Sequence, residues 1–187
     1  DRDVTGVQTC ALPILKALIH IGRQHGLDLQ VLRSVEDANE AQKRVLVDKV
    51  VQRFGQDLSG RTFALWGLAF KPNTNDMREA PSRVIVQQLV QRGATVQAYD
   101  PVARDEARRV MEGAMGESPA LKFAPDAHAC LEGADALLVV TEWKEFRTPD
   151  FERIKSALRQ PVVFDGRNLY DPALMKAMGL EHHAIGR

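Results

Sequence analysis

The stretch ALWGLAFKPNTNDMREAPS, from Ala64 to Ser82, constrains the fold of this chain more than any other. A short apolar run ends at Gly67 and leads into a polar loop, and Pro81 stands where a helix is expected to begin. The pattern predicts a strand, a loop and a helix, the first crossing of an α/β sheet. Ligands of such sheets bind beyond the carboxyl ends of the strands. Because Lys71 and Arg78 lie in the loop beside a helix N-terminus, the stretch predicts a site for an anion such as a diphosphate.

Strand and helix patterns alternate from this stretch to the C-terminus. The predicted strands are 61–68, 95–99, 121–124, 136–141, 161–165 and 180–185. The predicted helices are 81–91, 103–115, 126–133, 150–158 and 172–178. Such alternation is typical of right-handed βαβ units, so we expect an α/β fold with a doubly wound, Rossmann-like parallel sheet.

The residues before this region have a helical pattern. Apolar residues share one face over 15–26, and a second apolar stripe continues to Phe54, with Asp28 as a candidate N-cap. The second helix is far longer than the average of about 11 to 12 residues, which favours an interdomain spine or a dimer interface over a helix that covers the sheet. The polar turn at 56–61, QDLSGR, is the predicted domain boundary.

Composition excludes several classes of partner. Lys plus Arg and Asp plus Glu both number 25, so no overall charge favours nucleic acid or a membrane surface. No apolar run approaches the roughly 20 residues of a membrane span. The two cysteines, Cys10 and Cys130, are too few for a disulfide framework, which fits a reducing cytoplasm. Because His182 and His183 are adjacent on a predicted strand, they face opposite sides, and no metal site is predicted.

Four motifs carry a resemblance to a known family. They are the stretch Gly67–Ser82, the YDP of residues 99–101, the TEW of residues 141–143 and the FDGR of residues 164–167. In this order and spacing they resemble the C-terminal part of the UDP-glucose 6-dehydrogenase family. The resemblance extends from about Leu15 to the C-terminus.

The resemblance implies a domain arrangement. Members of the family have an N-terminal NAD-binding Rossmann domain, a central helical domain with a long dimerising helix, and a C-terminal nucleotide-sugar-binding domain. Residues 15–55 would then be the end of the central dimerisation domain, and residues 60–187 the UDP-sugar-binding domain. A homodimer through the 28–54 helix is implied, and NAD would be bound mainly by an N-terminal half outside these residues.

The resemblance also implies a reaction and a substrate. Similar enzymes convert UDP-glucose, two NAD+ and water to UDP-glucuronate and two NADH, through a cysteine thiolate. The sequence KPNTNDMREAPS more closely resembles the UDP-glucose enzymes than those acting on GDP-mannose or UDP-N-acetylmannosamine. We expect a C-terminal fragment that supplies nucleotide-sugar binding and is inactive alone.

Residues 1–14 are predicted to be an artefact tail, because Val4 to Ile14, VTGVQTCALPI, resemble a translated sequencing adapter. The alternative is a genuine, mostly irregular tail. Cys10 falls near the position of the family nucleophile, which lies in a GGxCxPKD motif. The glycines are absent, however, and Pro13 and Ile14 stand where Lys and Asp are expected. No catalytic residue is therefore assigned.

Three substrate contacts follow from the resemblance. Phe70 and Lys71 resemble the pair that contacts the nucleotide sugar, and Arg167 resembles a substrate-binding arginine near the domain interface. The alternative for Lys71 is a solvated loop cation, and for Arg167 a turn residue that caps the strand end.

One cofactor contact also follows. Arg78 resembles the arginine that reaches the NAD of the N-terminal domain; its alternative is a salt bridge to Glu79 or Asp76. Asp100 lies where Rossmann folds place a ribose-binding acid, but without a preceding G-x-G-x-x-G a turn and capping role is favoured. Asn75 replaces the aspartate usual in this loop, and its role stays open.

A second functional class remains open at this point: a self-sufficient, non-catalytic nucleotide-binding or assembly module with a genuine N-terminus. Fold alone does not separate it from a dehydrogenase fragment, since doubly wound domains have many functions. The DNA upstream of the first codon would discriminate between the two. A flavodoxin-like regulatory domain is disfavoured by the order of the family motifs.

Overall fold

A computed structural model of the chain describes the backbone of residues 5–186 and the side chains of residues 14–186. The helices are α1 (Thr5–Gln24), α2 (Gln30–Phe54), α3 (Pro81–Gln91), α4 (Arg104–Met115), α5 (Lys144–Arg147), α6 (Phe151–Ala157) and α7 (Pro172–Ala177). The strands are β1 (Thr62–Trp66), β2 (Thr95–Tyr99), β3 (Leu121–Phe123), β4 (Ala136–Val139), β5 (Val162–Asp165) and β6 (Glu181–Ala184). The chain divides into two compact units, Asp1–Arg44 and Val45–Arg187.

The first unit contains α1 and the N-terminal part of α2. Gly26 adopts a φ of 71° just after α1, as a helix-ending glycine does, which confirms the predicted break. The helix begins at Thr5, so regular structure runs through the segment predicted to be an artefact or an irregular tail. The origin of that segment stays a prediction, and the side chain of Cys10 lies outside those described.

Within the described residues, six strands form one sheet in the order β3-β2-β1-β4-β5-β6, and every pair is parallel. The strand order reverses between β1 and β4, where Trp66 pairs with Val139. This reversal is the topological switch point of a doubly wound sheet, beside which ligands bind. The predicted fold class is confirmed.

Helices cover both faces of the sheet, so the inner strands are apolar throughout. Phe63, Leu65, Leu138 and Phe164 point to the face covered by α3, α4 and the end of α2. Ala64, Trp66, Leu137 and Val163 point to the other face, where Phe146, Ile154 and Met175 of α5, α6 and α7 pack. Burial on both faces explains why these strands are continuous apolar runs.

The C-terminal half of α2 differs from its prediction. Leu46, Val47 and Val50 are buried in the core of the α/β unit, and the Phe54 ring lies 5.4 Å from the Phe63 ring. This half therefore covers the sheet, a role that the helix length had disfavoured. The domain boundary predicted at 56–61 lies C-terminal to the division between the two units, which is between Arg44 and Val45.

The predicted helix at 126–133 is wrong, because these residues form successive turns. The Asp126 carboxylate accepts hydrogen bonds from the amides of His128 and Ala129, and Gly133 has a φ of 68°. The amides of Leu131 and Ala134 donate to the carbonyls three residues earlier, those of His128 and Leu131, so the segment closes as tight turns and does not form the regular hydrogen-bond ladder of an α-helix. The helix α5 was not predicted.

None of the helices in the described part of the chain has the length and hydropathy of a membrane-spanning segment.

Candidate functional site

The loops after β1 and β4 meet at the switch point. Gly67 has a φ of 93°, and a Cβ atom there would lie 2.5 Å from the Cβ of Thr141, so only glycine fits. The Thr141 hydroxyl donates to the carbonyl of Ala69 at 2.7 Å. The two loops are therefore held in direct contact at the carboxyl edge of the sheet.

Asp100, at the end of β2, holds the base of the same loop. Among the described residues its carboxylate accepts five hydrogen bonds: from the amides of Leu68, Ala69, Val102 and Ala103 and from the indole N–H of Trp143. The residue is buried. A carboxylate used in this way has no lone pair directed at a ligand, which favours the predicted turn and capping role over ribose binding.

The β1–α3 loop, residues 67–80, carries three of the predicted site residues. The amide of Phe70 donates to the carbonyl of Asp76 at 2.9 Å and closes the loop, and Phe70 and Lys71 are half-buried. Arg78 makes two hydrogen bonds to the Asp76 carboxylate, at 3.0 and 2.8 Å. The hydrogen bond from Arg78 lowers the pKa of Asp76, against the raising effect of burial, and the charge of Lys71 adds to the lowering.

Asp165 holds the turn after β5, residues 166–170. Its carboxylate accepts hydrogen bonds from the amides of Arg167 and Tyr170, both at 3.0 Å, and lies 3.4 Å from His182 Nε2. Burial raises the pKa of Asp165, but the His182 side chain and the two amides outweigh it, so the pKa lies below its ordinary value. Asp165 was quoted in the FDGR motif without a role; the long-range contact to His182 has no signal in the sequence.

Arg167 extends from this turn toward the loops after β1 and β4. Its Nη2 atom donates to the carbonyl of Phe70 at 3.5 Å, across 97 residues of sequence, and its Nε atom lies 2.5 Å from Glu142 Oε2. A cleft of about 530 Å³ opens beside the pair, lined by Glu142, Arg147, Gly166, Arg167, Asn168, Leu169 and Ile185. We name it the Arg167 cleft. Phe70 and Arg167, two of the predicted substrate-binding residues, are therefore in contact. Glu142 contacts Arg167 as well, although no role was predicted for it.

Arg78 lines a different cleft, of about 610 Å³, which we name the Arg78 cleft. Its charged lining residues are Asp76, Arg78, Arg83, Glu106 and Arg109, and Asn75 also lines it. The Arg78 side chain is 85% exposed, whereas that of Arg167 is 31% exposed. The salt bridge from Arg78 to Asp76, the alternative role of Arg78, is present.

Other residues with reactive or metal-binding side chains are packed within the fold. Burial raises the pKa of the free Cys130 thiol to about 12, and its Sγ atom lies 3.0 Å from the carbonyl of Gln97. Such a thiol is a poor nucleophile. The His183 ring stacks on Phe164 with 4.8 Å between ring centroids. Among the described residues, no three His, Cys, Asp or Glu side chains are grouped so that they could hold a metal ion.

Comparison with known proteins identifies the family of this site. The model for the UDP-binding domain of the UDP-glucose/GDP-mannose dehydrogenase family matches residues 64–172, from β1 to the start of α7. The chain belongs to this family. Its resemblance to the C-terminal part of UDP-glucose 6-dehydrogenases is confirmed by relatives that carry that name. The Pseudomonas aeruginosa enzyme is 46% identical over 180 residues, and the TuaD enzyme of Bacillus subtilis is 40% identical over 171 residues.

The matches cover nearly all of this chain but only part of each dehydrogenase. The chain aligns over 96% of its length with 39% of the Pseudomonas enzyme and over 91% with 36% of TuaD. It superposes on a UDP-glucose dehydrogenase of Pyrobaculum islandicum with a TM-score of 0.72 and 29% identity, over 90% of this chain and 35% of that one. A GDP-mannose dehydrogenase ternary complex from Pseudomonas aeruginosa shares the fold, with a TM-score of 0.68 at 19% identity, over 93% and 38% of the two chains.

Proposed function

We propose that this chain supplies the nucleotide-sugar-binding part of an NAD-dependent UDP-glucose 6-dehydrogenase. The whole enzyme oxidises UDP-glucose to UDP-glucuronate with two NAD+ and water. Membership of the family and the names of the relatives support this proposal. The single observation that carries it is the contact between Arg167 and the carbonyl of Phe70 beside the switch point.

The Arg167 cleft is the proposed position of the diphosphate. Arg147 and Arg167 bring two guanidinium groups to a cleft that contains one carboxylate, Glu142. A guanidinium can donate to two phosphate oxygens at once, which makes arginine well suited to a diphosphate. Lys71 follows Phe70 directly and contributes a further positive charge to the β1–α3 loop. We propose that it contacts a sugar hydroxyl or a phosphate.

We propose that Arg78 contacts NAD held mainly by residues outside this chain. An exposed guanidinium fits such a secondary contact. The described residues do not fit a complete dinucleotide site, because Gly67 stands alone after β1 and the Asp100 carboxylate is used by its own backbone. Hydride transfer by these residues alone is therefore not expected.

We also propose a homodimer through the exposed N-terminal part of the 28–54 helix, since the C-terminal part packs against the sheet. Val31 and Val35, one turn apart on α2, are 76% and 47% exposed. An exposed apolar stripe on a helix is stabilised when a second copy covers it. We expect Val31→Glu with Val35→Glu to lower the mass measured by light scattering to that of a monomer. The cytoplasm, predicted as the location, stays a prediction.

Calorimetric titration tests the binding function. The chain is titrated with UDP, UDP-glucose, GDP and uridine at low ionic strength. We expect saturable binding of UDP and UDP-glucose, with uridine at least about tenfold weaker, because a charge-assisted hydrogen bond contributes roughly 1.5 to 3 kcal/mol. Equal affinities for UDP and uridine, or no binding of UDP, would contradict the proposal.

An absorbance assay tests whether this chain alone can oxidise UDP-glucose. The chain mixed with UDP-glucose and NAD+ is expected to produce no NADH, because it carries neither the GGxCxPKD motif nor a G-x-G-x-x-G sequence. The Pseudomonas enzyme, assayed in parallel, is the positive control. NADH production by the 187-residue chain alone would contradict this part of the proposal.

A further inference from the structure

The pairing of Arg167 with Glu142 differs from other arginine pairs of this molecule. Arg78 and Arg109 each donate two aligned hydrogen bonds to one carboxylate, Asp76 in the first case and Glu106 in the second. Arg167 Nε lies 2.5 Å from Glu142 Oε2, yet the contact is not aligned as a hydrogen bond. Both atoms are buried and have no other hydrogen-bond partner. The two charged atoms are therefore close together, but neither makes a hydrogen bond.

The backbone on both sides of the pair is fixed. Glu142 lies between Thr141, which donates to Ala69, and Trp143, which donates to Asp100. Arg167 follows Gly166, whose amide donates to the carbonyl of Val139, a carbonyl that a Cβ atom at this position would approach to 2.8 Å. These contacts hold the backbone on both sides of the pair, so the closeness of Glu142 and Arg167 follows from the fold.

We propose that Glu142 is an internal competitor that occupies the anion-binding guanidinium of Arg167 until the diphosphate of the nucleotide displaces it. The inference rests on the proposed function of the Arg167 cleft. A carboxylate that orients an arginine would make the aligned pair seen at Arg78 and Arg109. A poorly aligned carboxylate holds the guanidinium weakly, and its charge opposes an incoming phosphate at the same atoms. Glu142 therefore weakens nucleotide binding and speeds release of the nucleotide.

The test removes the charge of Glu142, once with its shape kept (Glu142→Gln) and once with the side chain truncated (Glu142→Ala). Calorimetric titration compares UDP, inorganic pyrophosphate and uridine binding to the parent chain, Glu142→Gln and Glu142→Ala, with thermal unfolding as the check on folding. We expect both variants to bind UDP and pyrophosphate about two- to fivefold more tightly, the range that a partly exposed ion pair supplies. Uridine affinity is expected to stay unchanged. The matched control is Glu152→Gln, an exposed carboxylate in the first turn of α6, which should alter none of the affinities.

A double mutant locates the effect. In an Arg167→Gln background, Glu142→Gln should no longer raise the affinity for UDP, because the competition acts through the guanidinium. Weaker or unchanged UDP and pyrophosphate binding by both Glu142 variants would overturn the inference. Failure of the parent to prefer UDP over uridine would instead overturn the proposed function, and pyrophosphate would still report on the competition at Arg167.

Discussion

The β1–α3 loop and the turn after β5 are both held by a buried carboxylate, yet they present their arginines in opposite ways. Asp100 fixes the base of the first, and Asp165 fixes the second. Arg78 in the loop is 85% exposed and doubly bonded to Asp76, whereas Arg167 is 31% exposed and lacks an aligned carboxylate partner. An exposed, satisfied arginine suits a contact with a group held elsewhere. A half-buried arginine whose Nε atom has no aligned acceptor suits a ligand bound at the edge of this sheet.

The largest effect is expected from removing the carboxylate that holds the loop base. Asp100→Ala leaves four amides and the Trp143 indole without their acceptor, so we expect the free energy of unfolding in urea to fall by about 3 kcal/mol or more. Asp126→Ala is the control, because Asp126 accepts from two exposed amides; its loss should cost about 1 kcal/mol. Equal losses in the two variants would show that Asp100 is not the anchor.

The next effect concerns the ligand. Arg167→Gln should weaken UDP binding by about tenfold to a hundredfold, the equivalent of roughly 1.5 to 3 kcal/mol for lost charge-assisted hydrogen bonds. Uridine, which lacks phosphate, should bind with unchanged affinity. Calorimetry measures both. An equal loss for UDP and uridine would mean that the substitution disturbs the cleft and not a phosphate contact.

A smaller effect is expected at Asp165, where the carboxylate supports the turn. Asp165→Asn should lower the free energy of unfolding by about 1 to 2 kcal/mol at neutral pH, because the amide keeps one acceptor for the two backbone N–H groups. The pKa of Asp165 lies below its ordinary value of 3.8, so its contribution is present above that pH and is lost as the pH falls through the folded-state pKa. The difference between parent and variant in urea should therefore narrow below about pH 4. A difference independent of pH would contradict this role.

The smallest effect is expected at Arg78. Because its ion pair with Asp76 is exposed, Arg78→Gln should change the free energy of unfolding by no more than about 0.5 kcal/mol. The affinity for UDP should change less than about twofold, since Arg78 lines a separate cleft. A loss of UDP affinity comparable to that of Arg167→Gln would remove the contrast between the two arginines.

Much of the fold was predictable, because strong local signals agree with the tertiary structure. Helix 81–91 and strand 95–99 have the predicted bounds, each marked by Pro, Gly or Asp at its ends. The sequence misled where tertiary context decides. The length of α2 had favoured a spine or a dimer interface, and only the structure places Leu46 and Val50 against the sheet.

The candidate site was predictable in its motifs and not in its pairings. Glu142 and Arg167 lie in separate motifs that meet because β4 and β5 are neighbours in the sheet. A local pattern carries no information about which loop of one strand faces which loop of another. The Asp76–Arg78 pair, two residues apart, was within reach of the sequence and was weighed as an alternative.

The most direct test of the central claim is a titration of the ¹⁵N-labelled chain with UDP, followed by amide chemical shifts. The account predicts that the largest changes cluster around the Arg167 cleft, at residues 67–71, 141–143 and 166–169. Amides of the Arg78 cleft, such as those of Arg83 and Arg109, should move little. Changes concentrated at the Arg78 cleft, or no saturable change anywhere, would contradict the claim that the turn after β5 and the loops after β1 and β4 form the nucleotide-sugar site.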